Sequence, residues 1–173
     1  MKGIREIRSR IKSVKSTSQI TRAMQLVASS KMKRAQQAAI SGQPYARLLV
    51  EMLESLLEKI GEISHPYFKE RTVRKRGILV LSTDKGLCGP LNSNLFRLGA
   101  KIAPGEAAFF CVGRKASQFF ARLKHEVVAD FQVGDRIRFR EVRQICEYLE
   151  KEFLAGRIDT VEVLYPAFVN TLR

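Results

Sequence analysis

The stretch Gly77–Phe96, GILVLSTDKGLCGPLNSNLF, decides how the chain is read. Its apolar run, Ile78 to Leu81, has the length and composition of a buried strand. The run breaks into a loop carrying Gly86 and Gly89 and passes, from Leu91, into a segment with helical periodicity. Strand, glycine loop and helix in that order is the arrangement by which many proteins hold a phosphate on a helix N-terminus.

The spacing argues against a phosphate here. A P-loop needs G-x-x-x-x-G-K-[ST], so that amides cradle the phosphates while Lys and a hydroxyl serve phosphate and magnesium. Gly86 and Gly89 are three apart, and Pro90 stands where a lysine would be wanted. The dinucleotide pattern G-x-G-x-x-G fails as well, and Pro90 has no N–H to offer. No cofactor is therefore expected. The simpler reading is that both glycines permit a tight strand-to-helix turn with close packing. Asp84 and Lys85 read as a local cap or pair, and Asn92 and Asn94 as side chains that satisfy turn amides.

Downstream, strand and helix alternate. Leu91 to Ile102 reads as a helix, Ala107 to Gly113 (AAFFCVG) as a strand and Lys115 to Leu123 as a helix. A short extended EVVADF follows, then a helix from Phe139 to Leu154, then a last strand, TVEVLYPAF, from Thr160. Such alternation predicts a parallel, right-handed βαβ sheet. Residues 77–173 are read as a small Rossmann-like module, and residues 61–76 as a basic linker leading into it.

Upstream, the pattern is that of one long helix over residues 1–60. No Gly or Pro interrupts Ile4 to Ser41, and the helical pattern resumes after Gly42 and Pro44. Ile4, Ile7, Ile11 and Val14 follow the three-four-three spacing of a coiled-coil seam. It continues through Thr17, Thr21, Met24, Ala28, Met32 and Ala35, with one slip between Val14 and Thr17. Small and hydroxylated seam residues admit a close partner helix. Farther on, Tyr45, Leu48, Leu49, Met52, Leu53, Leu56, Leu57 and Ile60 form the broader stripe of a helix packed on a globular core. Pro44 is expected to kink the helix without ending it. The fold class is thus α/β: a long N-terminal coiled-coil-type helix, then the parallel-sheet module.

Composition narrows the function. A hydrophobic content of 45% is ample for a core, and Lys+Arg 31 against Asp+Glu 17 gives a net charge of +14. That field favours acidic partners. Cys88, Cys111 and Cys146 are far apart and have no clustered histidines, so they predict reduced thiols and no metal site. His65 and His125, without companion ligands, read as surface residues. The longest apolar runs fall far short of the ~18 residues of a membrane span. The Arg- and Ser-rich start resembles a transit peptide, but its helical pattern runs past residue 30, so it is read as mature sequence.

Two motifs then carry a family resemblance. Ser82 to Phe96, STDKGLCGPLNSNLF, resembles the signature loop of the gamma subunit of F-type ATP synthases. Ile7 to Gln36, IRSRIKSVKSTSQITRAMQLVASSKMKRAQ, resembles that family's N-terminal helix; His65–Tyr67 (HPY) and, less distinctly, FVNTL extend the likeness over essentially the whole chain. The signature residues on this sequence are Asp84, Lys85, Gly86, Leu87, Cys88, Gly89, Asn92 and Asn94.

The resemblance implies a non-catalytic rotor, the central stalk, that couples proton translocation to ATP synthesis or hydrolysis on beta subunits. It implies alpha and beta subunits around the shaft, with the epsilon subunit and the membrane-sector ring at the globular end. Membrane contact would come only through the complex, peripheral on the cytoplasmic face of a bacterial inner membrane or in an organelle. Residues 1–44 contain ten Lys or Arg against the single acid Glu6. Arg8, Lys12, Met24, Lys31, Lys33 and Arg34 are the expected partner contacts; the alternatives are a seam position for Met24 and a solvated face for the cations. Family members continue into a second shaft helix that this sequence does not contain, so a truncated gamma-like protein with another role stands as an alternative, and exposed seam residues would favour self-association. Two other classes stand beside the rotor. A basic coiled-coil nucleic-acid binder lacks a groove-reading module, so no nucleic acid is expected; a Rossmann-type enzyme lacks a convergent acid, base or nucleophile.

Overall fold

The computed structural model describes residues 2–60, 65–69, 71–103, 105–134 and 137–167, with backbone alone at 2 and 60. The FVNTL motif and part of the 61–76 segment lie outside the described residues. The chain divides into two compact units, Met1–Ile63 and Ser64–Arg173.

The first unit is built on one helix, α1, Lys2–Ile60. At 1.5 Å per residue its 59 residues extend about 88 Å. It runs through Pro44, where the loss of one donor is outweighed by helical pattern on both sides. A single helix has nothing to bury its seam against. Ile4, Ile7, Ile11 and Val14 are all about 60% exposed or more. The stripe assigned from sequence to a globular core is exposed too: Tyr45, Leu48, Leu49, Met52, Leu53, Leu56 and Leu57 all lie open. That reading is corrected: the spacing was that of a buried face, but periodicity cannot say what covers it.

The second unit contains β1 (Arg76–Leu81), α2 (Leu91–Gly99), β2 (Ala107–Val112), α3 (Arg114–Arg122), β3 (Glu126–Phe131), α4 (Phe139–Leu154) and β4 (Thr160–Leu164). The strands form one parallel sheet in the order β3-β2-β1-β4. β2 is central and wholly buried, as an apolar run without alternation requires of a strand covered on both faces. One face packs Ile78, Val80, Phe109 and Cys111 against Leu95 and Phe96 of α2 and Ala116 and Phe120 of α3. The other packs Phe110 and Val112 against Ile145 and Leu149 of α4. Phe109 and Phe120 stack with centroids 4.1 Å apart.

Helix α2 stops at Gly99, short of the expected Ile102. Its last amides turn to bonds three residues back, Lys101 N–H to Leu98 O and Ile102 N–H to Gly99 O, the tighter turn that ends many helices. The expectation for His125 is also overturned. It is 8% exposed, edge-on to Phe109 and Phe120, and its Nδ1 is buried without a partner. A lone histidine within KHE (Lys124–Glu126) carried no sign of the aromatic pocket that topology places around it. His65 is exposed, as expected.

Beside the β1–α2 loop the glycine that permits close approach is Gly113, at φ 94°, where an added Cβ would stand 2.3 Å from the Ser82 carbonyl oxygen; Gly77 and Gly99 are crowded too, by the Thr160 carbonyl oxygen at 2.9 Å and the Phe120 ring at 2.7 Å. Gly86 has no such constraint and open space around it; Gly89 needs its left-handed φ of 58° but is equally open. The close-packing role expected of Gly86 and Gly89 therefore belongs to Gly113. Gly113→Ala is expected to destabilise the module by about 2 kcal/mol or more, and Gly86→Ala to stay within about 0.5 kcal/mol of the parent. Urea unfolding compares them, and equal losses would refute the assignment.

Two carboxylates are held below their ordinary range. Asp159 is lowered mainly by hydrogen bonds from the Lys75 and Arg74 amides. Glu152 is lowered mainly by the Arg157 guanidinium, which donates through Nε and Nη2 at 2.6 and 2.7 Å. A lowered carboxylate contributes stability that is present above its unfolded pKa, about 4, and is lost as pH falls through the folded value. Glu152→Gln should therefore flatten the acid limb of a stability-pH curve below about pH 4. An unchanged limb would show that the pair adds nothing.

Candidate functional site

The first candidate is the loop between β1 and α2. At the carboxyl end of a parallel sheet this is where α/β proteins place ligands. Its side chains instead build a brace. The Thr83 Oγ1 hydroxyl donates to Lys85 O at 2.6 Å and accepts from Asn92 Nδ2 at 2.7 Å. Asn92 Nδ2 also reaches Cys88 Sγ at 3.3 Å, and its Oδ1 accepts the Thr83 amide at 3.4 Å. Asp84 Oδ1 accepts the Arg114 amide at 3.0 Å and lies 4.0 Å from Arg114 Nε.

The loop also occupies the first amides of α3. A helix leaves its first N–H groups without intrahelical partners. In α3, Arg114 N–H goes to Asp84, Lys115 N–H to Thr83 O at 3.3 Å and Ala116 N–H to Ser82 Oγ at 3.0 Å. At α2 the N-cap is Pro90, which has no N–H. Strand, glycine and helix have the order of a nucleotide site, but α2 begins from a proline and the first donors of α3 are engaged by protein.

The structure brings Asp84, Lys85, Cys88 and Asn92 together through Thr83 and Arg114. Asn94 does not join them: it is exposed in the first turn of α2, its amide bonded to Pro90 O. Leu87 is fully exposed at φ 61°, a left-handed conformation that costs a leucine energy. Ser82, Thr83, Gly113 and Arg114 were missed from sequence. The signal was available in the hydroxyl pair after one strand and the glycine after the next, but only the sheet pairing shows that they meet.

The second candidate is α1. Arg8, Lys12, Met24, Lys31, Lys33 and Arg34 are all exposed there. Arg8 and Arg34 are about 39 Å apart along the axis, so these residues line a track and do not make one site. At about 100° per residue, Arg5, Arg8, Lys12 and Lys15 cluster roughly a quarter turn from the Ile4–Val14 seam. Among the described residues no helix is long and apolar enough to cross a membrane, and no group of three His, Cys, Asp or Glu could hold a metal. Cys111 is buried, and burial pushes its thiol up to about 12, leaving it protonated and unreactive.

These units define a class: a long helix with an uncovered apolar seam and a basic flank, in one chain with a parallel α/β module whose glycine loop braces itself. A family model described as ATP synthase matches residues 3–173. The ATP synthase gamma chain of Opitutus terrae is 52% identical over 172 residues, covering 99% of this chain and 58% of that relative. Those of Methylacidiphilum infernorum and Akkermansia muciniphila are 42% and 40% identical, over 97% and 99% of this chain and 59% of each relative. The chain belongs to the ATP synthase gamma family. It spans about three fifths of the length of these relatives.

Magnesium ATP titrated into the chain is expected to give no saturable heat, because Gly86 and Gly89 lack P-loop spacing and α2 begins from Pro90, which has no N–H. Asp84→Ala should cost about 0.5–2 kcal/mol, the range for losing a helix cap, and speed exchange of the Arg114 amide. A stoichiometric ATP isotherm would overturn this account of the loop.

Proposed function

We propose that the chain is part of the rotor, or central stalk, of an F-type ATP synthase. In this reading it couples proton translocation through the membrane sector to ATP synthesis or hydrolysis on beta subunits. It carries out no bond chemistry itself. The observation that carries the reading is α1 in a gamma-family chain: an uninterrupted helix whose apolar seam and basic flank are both open to other chains. Stiffness comes from the unbroken backbone ladder. The cations favour an acidic surround, supplied by the alpha and beta subunits. Exposed pairs are worth ~0 to 1 kcal/mol each, and many weak contacts suit a surface that slides better than one strong lock. The epsilon subunit and the membrane-sector ring are assigned to the globular end, which would hold the chain peripherally on the cytoplasmic face of a bacterial inner membrane.

The test uses a chimera in which this chain is completed by the remainder of the Opitutus terrae gamma chain. It is expected to bind the alpha-beta ring of that organism at low ionic strength, and more weakly as salt screens the charges. Arg8→Glu with Lys12→Glu should weaken binding about tenfold, the equivalent of 1.4 kcal/mol. Failure of the parent chimera to bind at low salt, or submicromolar affinity for duplex DNA surviving physiological salt, would sink the rotor reading.

A further inference from the structure

The segment ahead of β1, read from sequence as a basic linker, is fastened to the module at several points. Tyr67 donates its hydroxyl to Glu150 of α4, and its ring lies 5.9 Å from that of Phe153. Arg71 Nη1 donates to the Phe153 carbonyl at 2.9 Å, and its guanidinium sits 4.1 Å above the same ring. That places a cation on the carboxyl-terminal turn of α4, where the helix dipole favours it. The amides of Arg74 and Lys75 both donate to Asp159 Oδ2, at 2.8 and 2.9 Å, and the Asp159 amide returns a bond to Lys75 O at 2.8 Å. Lys75 Nζ meets Glu126 at the start of β3 at 2.6 Å.

We propose that this segment is a strap through which force from α1 enters the module at α4, the α4–β4 turn and β3 together. Arg71 and Asp159 are its positioning residues. The proposal rests on the rotor reading. A strand loaded only at its first residue can open one ladder bond at a time. A chain cross-tied to a helix end, a turn and a neighbouring strand before it reaches β1 distributes the same load over bonds that must break together. A flexible linker needs no such ties: capture of two consecutive amides by one carboxylate oxygen and seating of a guanidinium over a ring fix its path.

The experiment uses the completed chimera assembled with the other ATP synthase subunits of Opitutus terrae in vesicles. Readouts are ATP hydrolysis, ATP-driven proton pumping and hydrogen exchange. Arg71→Ala with Asp159→Ala should speed exchange of the Arg74 and Lys75 amides about tenfold while the β2 amides keep their protection. Pumping per ATP hydrolysed should fall about twofold or more with hydrolysis maintained, as loosened coupling requires. The milder Tyr67→Phe, which keeps the ring and removes only the hydroxyl, should move both in the same direction by less, and Arg71→Lys should restore part of the pumping. Unchanged exchange at Arg74 and Lys75, or faster exchange with an unchanged pumping ratio, overturns the strap. Failure of the unsubstituted chimera to pump while it hydrolyses ATP overturns the rotor reading, and the strap's role with it.

Discussion

One helix cannot cover its own seam, and much of this protein follows from that constraint. α1 presents isoleucine, valine and methionine at coiled-coil spacing from Ile4 to Ala35, and among the described residues of its unit no other element takes them from water. An isolated helix gains little from propensity alone, and most helical stability comes from packing an apolar face. α1 is therefore an element whose burial must come from other chains or chain segments. The charge pattern sharpens this. Cations dominate its first 44 residues, and like charges on neighbouring turns oppose a lone helix. Both the apolar and the electrostatic deficits are removed by the same kind of event, enclosure by acidic, apolar-lined surfaces.

The module solves the opposite problem. β2 is buried along its whole length because each face of the sheet has helices on it, α2 and α3 on one and α4 on the other. Helices set so close to strands demand a residue without a side chain where backbones approach, and Gly113 against the Ser82 carbonyl is that place. The approach has a chemical consequence. It sets the start of α3 beside the loop after β1, so Asp84, Thr83 and Ser82 reach the amides of Arg114, Lys115 and Ala116. Packing and the satisfaction of the first α3 amides are thus one feature. The fold keeps the strand-loop-helix geometry, and the loop turns it to structural use.

Local pattern carried much of this in the sequence, and long-range pairing carried the rest. The bounds of α4, Phe139 to Leu154, were legible because its periodicity is unbroken, and AAFFCV was legible as a buried strand because it has no polar position. What could not be read was which residues meet. His125 gives no local sign of the phenylalanines from β2 and α3 that enclose it. Asp159 gives none of the two amides more than 80 positions upstream that it captures. Those upstream residues, RTVRKR, look like a solvated basic link because charge is what composition reports, whereas the structure uses their backbone N–H groups and the ring-facing surface of one guanidinium.

Charge and hydrogen bonding consequently play different parts in the two units. In the module, cations are placed singly against specific partners: Arg157 on Glu152, Arg71 on the Phe153 carbonyl, Lys75 on Glu126. Such pairs fix one geometry. On α1 the cations are repeated at intervals along an exposed face, and the acids Glu6 and Glu51 bridge to neighbours one turn away, Arg10 and Arg47. A repeated, exposed charge attracts without choosing a register, since each contact is weak and interchangeable with the next. If the chain serves as the proposed rotor, a body that holds its own shape while its partners change around it, it needs the first arrangement inside its module and the second along its rod.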